Sequence, residues 1–184
     1  MSDLKVGKFN VISEEFHSGE GCEIGNFNTI GDASIGNNVV IENNCVIGSG
    51  CVIGDNTHVR SFVELRPNTI IGDNCYLDSY FHSSGTNKVG NNVTLRFNSC
   101  LAREVVVDDD VYICPNVMTN YGHHTGRKIS GTHIGKGSFV GTATVINYGI
   151  KIAPKTVVGS CSFVNKNLEE GIYVGVPAVK VEKK

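Results

Sequence analysis

Residues 35–54 read IGNNVVIENNCVIGSGCVIG, where every sixth residue is aliphatic and glycine usually follows it. The same step of six runs through Ile35, Ile41, Ile47, Ile53, Val59, Leu65, Ile71, Leu77, Ser83, Val89, Leu95, Leu101, Val107, Ile113 and Thr119, thirteen of which are Ile, Val or Leu. A second frame is aliphatic throughout, at Ile134, Val140, Ile146, Ile152, Val158 and Val164. A period of six fits neither an amphipathic helix nor long strands. It predicts very short strands stacked as the coils of a parallel β-helix.

The seven cysteines include no CxxC pair. An odd, unclustered set argues against a metal site or a disulfide framework. Cys22, Cys45, Cys51 and Cys75 each stand two residues before an aliphatic position of the repeat, where other coils have Ser or Thr. We therefore expect these four to be buried as small hydrophobic residues, no metal to be bound, and the chain to work in the reducing cytoplasm.

Composition excludes several classes of function. The net charge of −2 gives no electrostatic reason to expect a nucleic acid or membrane partner. No run reaches the roughly 18 apolar residues of a transmembrane helix, and the first ten residues lack a signal-peptide pattern. The length suits one domain, 1–184, with a short C-terminal tail. The ends of the β-helix need caps, for which we assign 1–16 and 169–184.

The frame is lost between Thr119 and Ile134. A β-helix accommodates extra residues by looping them outward, and such loops often carry function. The predicted extruded loop, 120–133, holds His123, His124 and His133. The other three histidines are scattered along the chain.

These features resemble the hexapeptide acyltransferases, a family with the left-handed parallel β-helix fold. The ordered motifs that carry the resemblance are the segments 97–100 (FNSC), 109–117 (DDVYICPNV), 134–142 (IGKGSFVGT), 159–166 (GSCSFVNK) and 175–178 (GVPA). The first two are similar to the strands before the catalytic loop of the sugar acetyltransferase branch. The last is similar to the GxPA signature that closes the family's domain.

The resemblance implies an acyl-CoA donor, usually acetyl-CoA, and an acceptor hydroxyl or amine. It implies a histidine as general base, a role that suits imidazole near neutral pH. His124, nine residues after Pro115, matches the family's histidine, and His123 is the second choice. The family is typically trimeric, with the CoA groove between neighbouring chains, so we also expect a homotrimer.

Other site residues follow from the same resemblance. Asn98 matches a residue that contacts the acceptor, and Tyr121 at the entry to the loop is the second candidate for substrate binding. Gly141 and Thr142 match positions that meet the thioester or pantetheine arm, where a backbone amide could also stabilise an oxyanion. Ser160 matches a further pantetheine contact. The CoA phosphates are assigned to Lys166 and to Lys180, which stands beside Val179 where the family often has Arg.

The acceptor is open between two branches of the family. The long run of hexads before the loop resembles the branch that N-acetylates amino sugars linked to nucleotides, and we favour that acceptor. O-acetylation of simple sugars or xenobiotics is the alternative. Two further classes compete: a γ-carbonic anhydrase-like zinc enzyme, which needs three converging histidines, and a non-catalytic β-helix that serves as a binding or assembly module.

Overall fold

The computed structural model describes residues 4–122 and 131–181. Within these ranges the chain forms 28 strands, nearly all of two residues, and no helix. Each coil contributes one strand to each of three sheets, which we number 1, 2 and 3 in chain order. The fold is the predicted one: all-β, a left-handed parallel β-helix of hexapeptide repeats.

The strands are numbered in chain order. Sheet 1 contains β1 (Lys5–Val6), β4 (Glu23–Ile24), β7 (Val40–Ile41), β10 (His58–Val59), β13 (Tyr76–Leu77), β16 (Thr94–Leu95), β19 (Tyr112–Ile113), β22 (Phe139–Val140), β25 (Val157–Val158), β27 (Ile172–Val174) and β28 (Val179–Val181). Sheet 2 contains β2 (Val11–Ile12), β5 (Thr29–Ile30), β8 (Val46–Ile47), β11 (Glu64–Leu65), β14 (His82–Ser83), β17 (Cys100–Leu101), β20 (Met118–Thr119), β23 (Val145–Ile146) and β26 (Phe163–Val164). Sheet 3 contains β3 (His17–Ser18), β6 (Ser34–Ile35), β9 (Val52–Ile53), β12 (Ile70–Ile71), β15 (Lys88–Val89), β18 (Val106–Val107), β21 (His133–Ile134) and β24 (Lys151–Ile152).

Each two-residue strand points its first side chain outward and its second side chain into the core, as successive residues of a strand must. We call a coil "below" another if it lies toward the N-terminus and "above" it if it lies toward the C-terminus. Leu77 pairs with Val59 in the coil below and with Leu95 in the coil above, and all three are fully buried. The predicted step of six is therefore the spacing of inward residues from one sheet to the next.

The four repeat-position cysteines are buried, as predicted. Burial raises the pKa of the Cys45 thiol to about 11, although backbone hydrogen bonds partly oppose the shift. Burial likewise raises the pKa values of Cys51 and Cys75. These thiols pack as small core residues and stay protonated at neutral pH.

The turns between sheets, which we call corners 1–2, 2–3 and 3–1, place one residue of most coils in the left-handed backbone region. Corner 3–1 fills this position mainly with asparagine, as at Asn56 and Asn74 with φ of 56° and 54°. Asparagine tolerates that conformation better than most residues because its side chain can hydrogen-bond locally. This explains the paired Asn residues that recur in the sequence.

Two irregularities interrupt the stack, and two expectations from the sequence are corrected. Val107 pairs with Ile134, 27 residues on rather than 18, so the extra residues leave at corner 2–3 between β20 and β21. His133, assigned to the loop from the sequence, lies in β21 on sheet 3. The expected N-terminal cap is wrong, because β1, β2 and β3 already form a first coil. At the other end β27 extends sheet 1 and β28 turns back antiparallel to it.

Candidate functional site

Corner 1–2 brings four of the predicted site residues onto one edge of the prism: Asn98, Gly141, Thr142 and Ser160. Backbone hydrogen bonds join successive coils along this edge. The amide of Asn116 donates to Phe97 O at 3.0 Å, that of Ala143 to Pro115 O at 3.0 Å, and that of Cys161 to Thr142 O at 2.8 Å. Thr142 and Ser160 thus occupy equivalent positions in consecutive coils, which suits two contacts to one extended ligand.

Gly141 is required here by close packing. A Cβ atom at this position would lie 2.5 Å from the Ser160 backbone nitrogen and 2.8 Å from the Gly159 carbonyl carbon. The Gly141 amide donates to Val158 O at 2.8 Å, so it is committed to the sheet ladder. The expected oxyanion role therefore does not fit the amide of Gly141. Thr142 is half-buried and Ser160 is exposed, so both side chains can be reached from the surface.

Asn98 occupies the left-handed position of its coil, with φ of 55°. Its Nδ2 donates to Asn116 Oδ1 in the coil above at 2.9 Å, and the residue is exposed. Backbone conformation by itself favours asparagine here. The location is nonetheless on the same edge as Thr142 and Ser160, two coils below Thr142.

Tyr121 and Lys166 border sheet 2 from its other side, at corner 2–3. Tyr121 follows β20 and is 63% exposed, and Lys166 follows β26 and is also exposed. Lys180 lies elsewhere, in β28 on sheet 1, where it pairs with Tyr173. One protomer therefore brings every described site residue except Lys180 to the two borders of sheet 2.

His123 and His124 lie outside the described residues. In the sequence they follow Gly122, the last described residue before them, which lies three residues after the end of β20 on sheet 2. The predicted base thus belongs to a segment connected to the same face as the predicted CoA contacts.

The outer face of sheet 2 presents one side chain per coil. From the fourth coil upward these are Glu64, His82, Cys100, Met118, Val145 and Phe163. His82 Nδ1 lies 3.1 Å from Glu64 Oε2, and Arg66 Nε donates to Glu64 Oε1 at 3.0 Å. The pairing of His82 with Glu64 was not predicted from the sequence, where His82 is one of three scattered histidines. The two residues are 18 apart, which is the length of one coil, and this spacing could have revealed the pair.

A buried polar network lies beneath this histidine, where the repeat has Ser83 in place of an aliphatic residue. The hydroxyls of Ser83 and Thr69 are 2.7 Å apart, and Ser83 Oγ donates to Asn87 Oδ1. Asn87 Nδ2 in turn donates to the carbonyl of Ala102. Because each of these buried groups has a partner, the network fixes corner 2–3 beside His82.

Cys100 stands directly above His82 in the neighbouring strand. Burial raises the pKa of its thiol, with Ser84 and Arg66 opposing the shift and Glu64 adding to it. A thiolate is the nucleophilic form of cysteine. Cys100 is therefore expected to contribute a neutral thiol to this face, next to the Glu64–His82 pair.

Residues 4–122 and 131–181 are the part of the chain that the structure describes. That part of the chain holds no group of three or more His, Cys, Asp or Glu side chains placed to bind a metal ion. Nor do these residues include a helix long and apolar enough to span a bilayer.

Known proteins resemble this chain in its repeat and in its fold. The family model described as "Bacterial transferase hexapeptide (six repeats)" matches residues 32–67 and 50–80. Residues 32–80 of the chain thus carry the hexapeptide repeat of this family model. The UDP-N-acetylglucosamine acyltransferase from Campylobacter jejuni has the same fold, with a TM-score of 0.83. It is 19% identical in sequence, and the match covers 94% of this chain and 72% of that one.

Two curated relatives of this hexapeptide-repeat protein match it in sequence. The galactoside O-acetyltransferase of Escherichia coli (strain K12) is 30% identical over 110 residues, which are 53% of this chain and 54% of the relative. The bifunctional protein GlmU of Thermotoga maritima is 27% identical over 174 residues, which are 90% of this chain and 36% of the relative. The hexapeptide-repeat chain thus spans about half of the first relative and about a third of the second.

Proposed function

We propose that this chain transfers an acetyl group from acetyl-CoA to the amino group of a nucleotide-linked sugar. The observation that carries the proposal is the alignment of Gly141, Thr142 and Ser160 along corner 1–2, beside the sheet from which the histidine loop leaves. In the family that the sequence resembles, these positions contact the pantetheine arm. A sugar acceptor is supported by the names of the E. coli and C. jejuni proteins.

The proposed chemistry needs one base and one activated carbonyl. The acceptor nitrogen attacks the thioester carbon, the C–S bond breaks, and an N–H proton is carried to the departing CoA sulfur. His124 is the proposed carrier and His123 the second choice, because a neutral imidazole can accept and then donate that proton. Asn98 and Tyr121 are proposed to hold the acceptor, and Lys166 and Lys180 the CoA phosphates.

Lys180 lies in β28 on sheet 1, where it lines a cavity with Lys155 of corner 3–1 and Val157 of β25. We therefore assign it to the CoA groove of a second copy of the chain. This supports the proposal that the active form is a homotrimer with the CoA groove between neighbours. The buried free thiols are consistent with the proposed cytoplasmic location.

O-acetylation of a simple sugar is the second candidate. It is favoured by the 30% identity to galactoside O-acetyltransferase over 110 residues. The chemistry would be the same, with a sugar hydroxyl in place of the amine.

Both candidates are tested by measuring the release of CoA thiol from acetyl-CoA with one panel of acceptor substrates. The panel contains nucleotide-linked amino sugars, free amino sugars and galactosides, and we expect the fastest turnover with a nucleotide-linked amine. Preferred turnover of a galactoside would instead support the second candidate. Absence of CoA binding by calorimetry would contradict both and favour a non-catalytic β-helix. Stoichiometric zinc by elemental analysis would favour the carbonic anhydrase class.

A further inference from the structure

Each of the three sheets carries one histidine that contacts a carboxylate from the coil below. His58 Nε2 lies 3.0 Å from Glu42 Oε1 on sheet 1, and His133 Nε2 lies 2.9 Å from Asp108 Oδ1 at the border of sheet 3. The third pair, His82 with Glu64, lies on sheet 2 between the two borders that hold the predicted CoA and acceptor residues. The sheet 2 pair therefore differs from the other two in lying next to the predicted site residues.

The groups around His82 favour proton transfer. Glu64 engages Nδ1, and Arg66 anchors the other oxygen of the same carboxylate. The ring is thereby held in one orientation, and Nε2 has no hydrogen bond to any residue of 4–122 or 131–181. The titratable and charged groups next to the pair are Arg66 from the coil below and Cys100 from the coil above. Arg103 lines the same corner 2–3 cavity as Arg66 and Ser84. The Cys100 thiol is neutral, so the carboxylate is the group that orients the imidazole.

Acetylation of an amine imposes a requirement that acetylation of a hydroxyl does not. An amino group of pKa about 8, as in α-amino groups, is mostly protonated at neutral pH and has no lone pair for attack. One proton must leave before the attack and a second must leave during it. His124 is proposed for the proton that leaves during the attack, so the first proton must pass to solvent or to a second base.

We propose that His82, oriented by Glu64, removes the first proton from the acceptor. The ammonium R–NH3⁺ gives a proton to Nε2, which leaves R–NH2 and an imidazolium that returns its proton to water. The neutral amine then attacks acetyl-CoA, and His124 transfers the second proton to the CoA sulfur. The Glu64 carboxylate also attracts the incoming cation. This role rests on the proposed acetyl transfer and identifies its acceptor as an amine.

The acceptor would lie three coils below Thr142, a distance of about 14 Å at about 4.8 Å per strand. In the proposed arrangement, an extended pantetheine arm that starts at Ser160 and Thr142 would run in this direction along sheet 2, with the donor above and the acceptor below.

The test compares His82→Gln with His58→Gln, which removes the matched pair on sheet 1, and with His124→Ala. UDP-glucosamine and glucosamine serve as amine probes, and kcat/KM is measured from pH 6 to 9.5. At pH 6.5 we expect His82→Gln to lose about 10- to 100-fold. The loss should shrink to about twofold above pH 9, where the amine is already neutral. Glu64→Gln should show a smaller loss with the same pH dependence, His58→Gln less than twofold, and His124→Ala a loss at every pH.

Three outcomes would overturn the inference. One is full activity of His82→Gln at pH 6.5, and another is a loss that does not change with pH, which would indicate a structural role. The third is an equal loss in His58→Gln. Circular dichroism and Tm of each variant exclude misfolding, and Glu64→Gln carries the test if His82→Gln does not fold. A wild-type chain that releases no CoA thiol with any amine overturns the proposed function itself, and the inference with it.

Discussion

Sheets 1 and 2 carry the same motif, a histidine above a carboxylate, in different surroundings. On sheet 1, Glu42 receives His58 and Arg60 at one oxygen and Ser61 at the other, and the His58 ring packs edge-on against Tyr76. That pair is enclosed in a network of its own. On sheet 2, the described residues that contact the Glu64 carboxylate are His82 and Arg66. The motif ties two coils together on sheet 1, whereas on sheet 2 Nε2 of the histidine bonds to no residue of 4–122 or 131–181, and we propose that this nitrogen takes part in the chemistry.

The interiors of the two sheets differ as well. Sheet 1 buries Leu77 in the coil where sheet 2 buries Ser83, and Ile113 in the coil where sheet 2 buries Thr119. Both exceptions to the aliphatic frame thus lie behind the same face. A polar interior is costlier than an aliphatic one unless every group is paired. The departures from the repeat therefore coincide with the face that we assign to function.

The largest effect is expected in the loop that leaves from sheet 2. His124→Ala should lower kcat about 10²-fold or more, because the N–H proton then has no carrier during the attack. His123→Ala is the matched control and should retain most turnover. Turnover is followed by CoA thiol release. The reverse result would exchange the roles of the two histidines, and full activity in both would remove the loop from the mechanism.

The next prediction concerns the polar interior of sheet 2. Ser83→Ala removes the donor to Asn87 Oδ1 and should lower the free energy of unfolding by about 2 kcal/mol. Ser99→Ala is the matched control, since Ser99 Oγ is equally buried and has no hydrogen-bond partner among the described residues. That variant should be neutral or slightly stabilising. Urea unfolding measures both, and equal losses would contradict the role given to the network.

Most of the fold was predictable because one rule, the step of six, governs each coil. The first coil was missed although Val6 and Ile12 continue that step below Ile24. Ser18 breaks the run there, and a polar residue near an open end costs little because the core is not closed around it. The position of His133 in a strand was also missed, since the loop gives no periodic mark of where it rejoins sheet 3.

Site residues could be predicted from the sequence only where they lie in a short contiguous motif. Thr142 and Ser160 lie in contiguous motifs, and the structure stacks them as consecutive rungs. The Glu64–His82 pair has no local motif, because its members come together only when the chain completes a coil. Once the coil length of 18 is known, such pairs can be found from sequence by reading residues 18 apart on the same outward position.

A smaller effect is expected from the enclosed pair on sheet 1. Burial raises the pKa of Glu42, but hydrogen bonds from Ser61 and His58 and the charge of Arg60 outweigh it, so the pKa is lowered overall. A carboxylate with a lowered pKa stabilises the fold above its unfolded pKa, and this stabilisation is lost as the pH falls through the folded pKa. Glu42→Gln should therefore cost about 1 kcal/mol at pH 7.

The difference between Glu42→Gln and wild type should fade below about pH 4.5, where the wild-type carboxylate also becomes neutral. Urea unfolding at pH 7, 5, 4 and 3 measures it. Glu14→Gln, at an exposed position, should stay within a few tenths of a kcal/mol of wild type throughout. A deficit of Glu42→Gln that persists at pH 3 would mean that packing rather than charge holds the pair.

The smallest expected effect is on the KM for acetyl-CoA, and it concerns two lysines near the C-terminal end, one on each sheet. Lys166 borders sheet 2, so Lys166→Ala should raise the KM for acetyl-CoA about threefold, as expected for an exposed cation near a phosphate. Lys180 lies on sheet 1, where it lines a cavity with Lys155 of corner 3–1. If the groove belongs to one chain, Lys180→Ala leaves KM unchanged. If it lies between two copies, Lys180→Ala raises KM to a similar extent, and the effect disappears on dilution below the concentration at which sedimentation detects the oligomer. Steady-state kinetics at two protein concentrations therefore decide whether sheet 1 of one chain completes the site on sheet 2 of the next.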